Sequence, residues 1–147
     1  MQLGPCTDSK AIAALYLASR KACLPYAPLA HRDEAICSWV AEVLIKTDHI
    51  IAASKEGVIY GFIATASDED KQWINHPYIH PKHTGLGIGS ALLEYALAQM
   101  PHPVYLYTFQ ANAGARRFYE RYGFLALEFS DGSNNEESCP DVLYGLL

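Results

Sequence analysis

Two segments of this 147-residue chain carry residue types and spacings that could do chemistry. The first is Thr84-Gly85-Leu86-Gly87-Ile88-Gly89-Ser90, between a strand-like run and a helical one. Alternating glycines leave backbone N–H groups unshielded, and the start of the following helix adds partial positive charge. Together these suit a phosphate or pyrophosphate. A Walker A loop would end in Gly-Lys-Ser/Thr, whereas this segment runs Gly89-Ser90-Ala91. The dinucleotide fingerprint G-x-G-x-x-G is also missing, because position 90 is Ser and no acid near Tyr107 could hold a ribose. A tight turn that needs glycine for its backbone conformation alone is the other use of such a segment.

The second segment begins at Asn112 and ends at Gly123-Phe124. Asn112 is placed to cap a helix, or its amide could bond a ligand lying along the end of the preceding strand. Tyr119 follows seven residues later, two helical turns on, and so falls on the same side as Asn112. A phenol there could donate a proton to a leaving thiolate. A capping Asn and a core Tyr are the plainer readings of the same two residues.

The elements that must position these segments follow from periodicity. Residues 8–23 are predicted as a first helix, with Thr7, Asp8 and Ser9 as capping candidates and Ile12, Leu15, Tyr16 and Ser19 at helical spacing. Pro25 and Pro28 break it. A second helix opens at Asp33-Glu34 with an apolar stripe of Ile36, Trp39, Val40, Val43 and Leu44. Residues 49–53 and 58–64 flank Lys55-Glu56-Gly57 as a hairpin, and Asp68-Glu69-Asp70 reads as an exposed loop. Residues 73–80 form a further strand. Pro77 lacks the N–H a ladder needs, so that strand should be at an edge, bulged or splayed. A third helix carries Ala91, Leu92, Tyr95, Ala96 and Met100, residues 104–109 form a strand, and residues 113–122 form a helix stopped by Gly123. Strands at 124–129 and 142–147, with one near Gln2, complete an α/β or α+β pattern.

The two segments together resemble the GNAT superfamily of N-acetyltransferases. The residues that carry the resemblance are Tyr78-Ile79-His80-Pro81, then residues 85–93, then Asn112 with Ala115, Phe118-Tyr119-Glu120 and Gly123-Phe124. The resemblance implies a mixed, mostly antiparallel central sheet with two splayed central strands, flanked by about four helices. Acetyl-CoA, as co-substrate, would lie between those strands. By the same resemblance the backbone at Tyr78 and Ile79 would bond the pantetheine arm. Thr84, Gly85, Leu86, Gly87, Ile88, Gly89 and Ser90 would form the pyrophosphate site. Asn112 would contact the pantetheine and Tyr119 would act as general acid. The family's glycine motif usually opens with Gln or Arg, and here that position is Thr84, so phosphate positioning could shift to Lys82, His83 or Arg116, or rest on backbone alone. Some relatives carry an acidic base on the strand before the Asn, but residues 105–109 contain none.

Acetyl transfer needs a neutral amine, and His76 beside the expected cleft is a candidate base, with an ordinary pKa of ~6.5. An ordered water chain, Tyr107 or no dedicated base are substitutes, and a surface histidine is the plain reading. His76 and His80 share a strand face but lie ~13 Å apart at ~3.3 Å per residue, too far for one zinc ion with bonds of ~2.1 Å. No metal is expected. The loop at 131–141 holds four acids and no base; it is either a solvated loop or, curled over the acceptor opening, brings Glu136 and Glu137 to a cationic amine. The acceptor implied is a primary amine of a small molecule or peptide. A non-catalytic acyl-CoA-binding or sensor module would need the same cofactor groove but not the acid Tyr119.

Composition narrows the partners. Lys and Arg number 11 against 16 Asp and Glu, a net −5, which disfavours a general grip on nucleic acid. No run approaches the ~18 apolar residues of a membrane span, and the N-terminal residues lack the layout of a signal peptide. The expectation is one N-acetyltransferase domain over 1–147, cytoplasmic, with an exposed edge strand able to support a homodimer. Cys6, Cys23, Cys37 and Cys139 contain no C-x-x-C and are expected as reduced thiols, mostly packed as small hydrophobes.

Overall fold

A computed structural model describes residues 1–23, 33–133 and 138–147, without the side chains at 21–23 and 76. The described elements are β1 (Gln2–Pro5), α1 (Ser9–Cys23), α2 (Asp33–Trp39), α3 (Ile45–Thr47), β2 (His49–Lys55), β3 (Val58–Asp68), β4 (Lys71–Ile79), α4 (Ile88–Leu97), β5 (Val104–Phe109), α5 (Ala113–Arg121), β6 (Leu125–Ser130) and β7 (Asp141–Leu146). The strands form one sheet in the order β1-β2-β3-β4-β5-β7-β6. All neighbours pair antiparallel except β4 and β5, which are joined through α4 and run parallel. This is the mixed, mostly antiparallel sheet expected from the sequence. No described helix is long and apolar enough to cross a membrane.

The period-2 pattern of β2 and β3 divides the core in two. Ile51, Ala53 and Ile63 face α4 and α5, packing with Leu92, Leu93 and Tyr119. Ile50, Ala52, Phe62 and Ala64 face the opposite way, against Ile12, Leu15, Val40 and Leu44 of the first helices. Burying each large apolar side chain contributes ~1.5–3 kcal/mol relative to exposure, so these two clusters fix which helices cover which face. Helix α1 lies on β3 and β4, and α4 lies on β2, β3 and β4. On the far half of the sheet Tyr107 is 60% exposed, so the α1 layer ends before β5.

The second helical segment departs from the expected stripe. Between α2 and α3, Val40–Leu44 takes a π-helical turn, and Ile36, Val40 and Leu44 are buried while Val43 is exposed. The wider turn shifts the register of the apolar face, which a 3.6-residue period does not anticipate. Helix α4 starts at Ile88 and ends at Leu97, so Met100 lies beyond it, packed against the core from the following turn. Asp68 closes β3, and the acidic loop shrinks to the tight turn at Glu69-Asp70, with Glu69 at φ 56°. Among the described cysteines Cys6 packs against the core as a small hydrophobe, as expected, and Cys139 is partly covered, whereas Cys37 is exposed and departs from that expectation.

Pro77 determines the feature that matters most. Strand β4 is central rather than at an edge, and both other consequences of the missing N–H occur. Phe62 pairs with Tyr78 and Ala64 with Asn75, so His76 and Pro77 together oppose Ile63 in a β-bulge. Strand β4 pairs with β5 only at Gln72↔Val104 and Trp73↔Tyr105, so the two part from Ile74 onward, just ahead of the bulge. The two central strands therefore splay apart.

Candidate active site

The splay opens two cavities that share a wall. The first, of about 610 Å³, lies on the α4 side and is walled by Ile79, His83, Thr84 and the first turn of α4. The second, of about 560 Å³, lies between α1 and the exposed face of β5, β7 and β6. Pro77, Tyr78, Asn112, Ala115 and Tyr119 line both. The sequence expectation that Asn112 and Tyr119 share a side of one helix thus corresponds to two residues at one junction.

The glycine turn owes its shape to backbone conformations that side chains resist. Gly85 and Gly87 have φ of +79° and +78°, and Gly87 is the left-handed N-cap of α4. A Cβ at either would meet nothing within 4 Å, so glycine is there for its φ and the space above it is open. Among the described residues the amide N–H groups at 85–90 have no acceptor, although the helix proper begins with Ala91 N–H donating to Gly87 O at 3.0 Å. This is an anion cradle of backbone donors at a helix N-terminus. Thr84 turns its hydroxyl back to Pro81 O at 3.2 Å, bracing the loop. Leu86 lines neither cavity, its side chain 66% exposed, which leaves its N–H as its contribution.

Cationic side chains near the cradle differ from those anticipated. Arg116 is turned away: Nε donates to Tyr144 Oη at 3.1 Å, and the guanidinium stacks over the Phe129 ring at 5.5 Å. Lys82 is not on the cavity wall either, whereas Arg121 and His83 are. His83 is held flat against Tyr60, ring centroids 3.8 Å apart. Arg121 belongs to the basic stretch of Arg116, Arg117 and Arg121 around Glu120, a local net +2 legible in the sequence.

At the junction Asn112 lines both cavities and caps α5, its Oδ1 accepting from Ala115 N–H at 3.1 Å. Tyr119 is 5% exposed and packs edge-on against Phe118 and Phe124. Its hydroxyl has no hydrogen-bond partner among the described residues, and burial holds the phenol well above its ordinary pKa. Tyr78 is likewise raised, first by burial and then by neighbouring Tyr16, with Arg20 opposing. Both phenols therefore stay protonated, and Tyr119 presents a hydrogen-bond donor to whatever occupies the junction.

The second cavity contains residues that sequence reasoning missed. Arg20, on α1, is 4% exposed and lies beside Tyr78, its guanidinium 5.7 Å from the Phe109 ring. Glu128 and Asp141 line it too. Asp141 ends the acidic loop 131–141 marked in the sequence, whereas no local motif announces Arg20 or Glu128, and only the register of β5, β7 and β6 brings the two acids together. His76 lies at the β4 bulge, next to cavity-lining Asn75 and Pro77. Glu136 and Glu137 fall outside the described residues.

The chain matches the family model "Acetyltransferase (GNAT) family" over residues 13–124. No curated protein matches it. Among solved structures it is similar to the PaiA N-acetyltransferase of Thermoplasma acidophilum in complex with coenzyme A, with 22% identity over 99% of this chain and 98% of that one and a TM-score of 0.76. It also resembles the ribosomal-protein-S18-alanine N-acetyltransferase of Escherichia coli, at 17% identity, 99% and 92% coverage and a TM-score of 0.74. An aminoglycoside 6'-N-acetyltransferase complexed with coenzyme A is similar at 13% identity, 99% and 96% coverage and a TM-score of 0.72. At these identities the structural likeness speaks for the fold, and the family follows from the sequence match over most of the chain: the protein belongs to the GNAT acetyltransferase family.

Proposed function

We propose that the protein is an acetyl-CoA-dependent N-acetyltransferase that acylates a primary amine of a small molecule or peptide by direct attack in a ternary complex. The observation that carries this reading is the shared wall: an anion cradle on one side, a polar cavity on the other, and a protonated Tyr119 hydroxyl between them. The open, acceptor-free amides at 85–90 fit a diphosphate, with Arg121 and His83 beside them. The unpaired edge of β4 at Tyr78 and Ile79, together with the Asn112 amide, would hold the pantetheine arm. Solved structures of similar fold hold coenzyme A.

Acetyl-CoA supplies an activated acetyl thioester. The amine forms the new C–N bond as the C–S bond breaks. Its proton leaves through His76 or water, and the departing sulfur takes up a proton. Tyr119 donates a hydrogen bond to that sulfur as negative charge develops on it. Full transfer from a phenol raised above its ordinary value to a thiolate of ordinary pKa ~8.5 is uphill, so the contribution lies in stabilising the developing charge. None of the described cysteines lines either cavity, which favours direct attack over a thioester on the protein.

Thiol release from acetyl-CoA across a panel of amines, paired with calorimetry of acetyl-CoA binding, tests the reading. Amine-dependent release with acetylated product is expected. Tight binding with no release for any amine would leave a binding module and overturn the catalytic reading.

A further inference from the structure

One side of the junction between the two cavities belongs to a single helix. Of the residues that line both, Asn112, Ala115 and Tyr119 lie on α5 or cap it, and Pro77 and Tyr78 belong to β4. The width of the junction is therefore set by how α5 sits on the sheet. Apolar burial alone does not secure that seat, because Tyr119 is the one buried residue among the nine of α5. A helix that short is not stable on its own and depends on its tertiary contacts.

A polar contact from β7 supplies what is missing. Tyr144 is fully buried and paired with Leu106 of β5 on one side and Ala126 of β6 on the other. Its hydroxyl donates to Glu120 Oε2 at 2.5 Å, the short distance of a hydroxyl on a carboxylate, and accepts from Arg116 Nε at 3.1 Å. Arg116 and Glu120 are four residues apart and share a face of the helix. Bonds to two points a turn apart resist both rotation of α5 about its axis and slide along it. Arg116 Nη1 also reaches Gln110 O at 3.5 Å, and Gln110 Nε2 donates to Ser130 O and Asp141 O at 2.9 Å each. The clamp is thus anchored to β6 and β7 together, not to one strand.

We infer that Tyr144 is a positioning residue: held by Arg116 and Glu120, it seats α5 on the sheet and so fixes where the Tyr119 hydroxyl stands at the junction. Tyr119 directly precedes Glu120, so a turn or slide of α5 carries its hydroxyl along. The effect on turnover rests on the N-acetyltransferase reading above; the seating of Tyr119 does not. The glycine cradle lies on α4, outside the clamp, so cofactor binding and donor placement depend on different parts of the molecule.

Tyr144→Phe tests this, because it keeps the buried ring and deletes only the hydroxyl. Arg116 and Glu120 are then free to pair along α5, so the helix survives while its tie to the sheet is lost. The first readout needs no turnover: the NMR signal of Tyr119 in protein with tyrosine labelled at Cζ, assigned by its loss in Tyr119→Phe. The signal is expected to move in Tyr144→Phe with coenzyme A bound, and an unmoved signal would overturn the inference. The second readout is thiol release from acetyl-CoA with an amine acceptor. Tyr144→Phe is expected to lower kcat ~10-fold, part of the ~10²-fold a well-placed donor supplies, with coenzyme A affinity by calorimetry unchanged. In the Tyr119→Phe background the same substitution should cost nothing further, since the group it positions is gone. Equal losses in both backgrounds would mean that Tyr144 acts on the fold at large, which sinks the inference. Glu120 is exposed, so its variants approach the clamp without risk to the core. Glu120→Gln keeps an acceptor and should retain most of kcat, whereas Glu120→Ala should match Tyr144→Phe; wild-type kcat in the alanine variant would count against the clamp. A shifted Tyr119 signal in a protein that acetylates no amine would uphold the seating and sink the acetyltransferase reading.

Discussion

The two cavities that meet at the β4 bulge are built on different principles. The cavity on the α4 side is made largely of backbone: glycines at positive φ, the N-terminus of α4 and the unpaired edge of a strand. The cavity on the α1 side is made of side chains, with Arg20 from α1, Glu128 from β6 and Asp141 from β7 on its walls. A backbone site is encoded by a few adjacent residues and recognises a group present in every turnover. A side-chain site is assembled from distant positions, and each can change without disturbing the fold. On the proposed function, the difference puts specificity on one side of the gap and generic anion binding on the other.

Tyr119 belongs to both cavities, and its removal is the largest perturbation expected. Tyr119→Phe keeps the buried ring and its edge contacts with Phe118 and Phe124 while deleting the hydroxyl. A lost donor to developing charge costs ~10²-fold in kcat. Coenzyme A affinity, read by calorimetry, should barely change. Wild-type turnover would strip the residue of its assigned role and leave the junction a purely structural boundary.

Gly87→Ala tests whether the first cavity is a backbone device. No atom lies within 4 Å of the added Cβ, so the whole penalty comes from φ +78°. A left-handed alanine costs ~1–2 kcal/mol, and relaxation of that strain would turn the amides of the first helical turn. The expected outcome is a lowered thermal midpoint together with coenzyme A binding weakened ~10-fold, the binding equivalent of such a cost. The KM for an amine acceptor at saturating acetyl-CoA should be untouched, and a change there would show that the two halves are coupled.

The same contrast explains what could be read from the sequence. The glycine turn, the Asn112 cap and the two-turn spacing to Tyr119 are local, and residues 84–90 and 112–119 sit in the structure where their spacing put them. Pro77 was legible as a disruption, because a missing N–H has only a few outcomes in a sheet. The choice among those outcomes depended on β5 becoming its parallel neighbour, which lies beyond the reach of local pattern. Nothing in the local pattern of the first helix marks Arg20 for burial. Its burial depends on Tyr78 and Phe109, which are 58 and 89 residues away by the numbering. Among the alternatives for positioning a phosphate, Arg116 is turned away for the same long-range reason, since Tyr144 on β7 accepts a hydrogen bond from its Nε. The π-helical turn at Val40–Leu44 carries no proline or glycine to announce it.

Alkaline pH offers a milder probe of the junction. Burial raises Tyr119 above its unfolded value of 10.0, so the native state holds its proton where the unfolded chain releases it. The stability linked to this group is complete below pH 10 and declines as pH rises from there towards the folded pKa. The slope approaches ~1.4 kcal/mol per pH unit for one proton. Urea midpoints between pH 9 and 11 should therefore fall less steeply for Tyr119→Phe than for wild type. Parallel slopes would mean that the phenol is better solvated than its 5% exposure implies.

Gly89→Ala gives the smallest effect and the sharpest test of the cradle. Position 89 is helical, and a Cβ there would meet only Phe118 Cζ, at an ordinary 3.8 Å. The free protein has no conformational reason to keep glycine at this site, and alanine in its place should stabilise the helix by ~0.5–1 kcal/mol. Any harm must then come from a ligand that approaches the backbone more closely than a methyl group allows. A raised thermal midpoint combined with weakened coenzyme A binding would identify residue 89 as a point of close approach, in contrast to residue 87, where stability and binding fall together. If both rise or hold in Gly89→Ala, the anion lies over the Gly85–Gly87 side of the turn and the Gly89 amide is not part of its cradle.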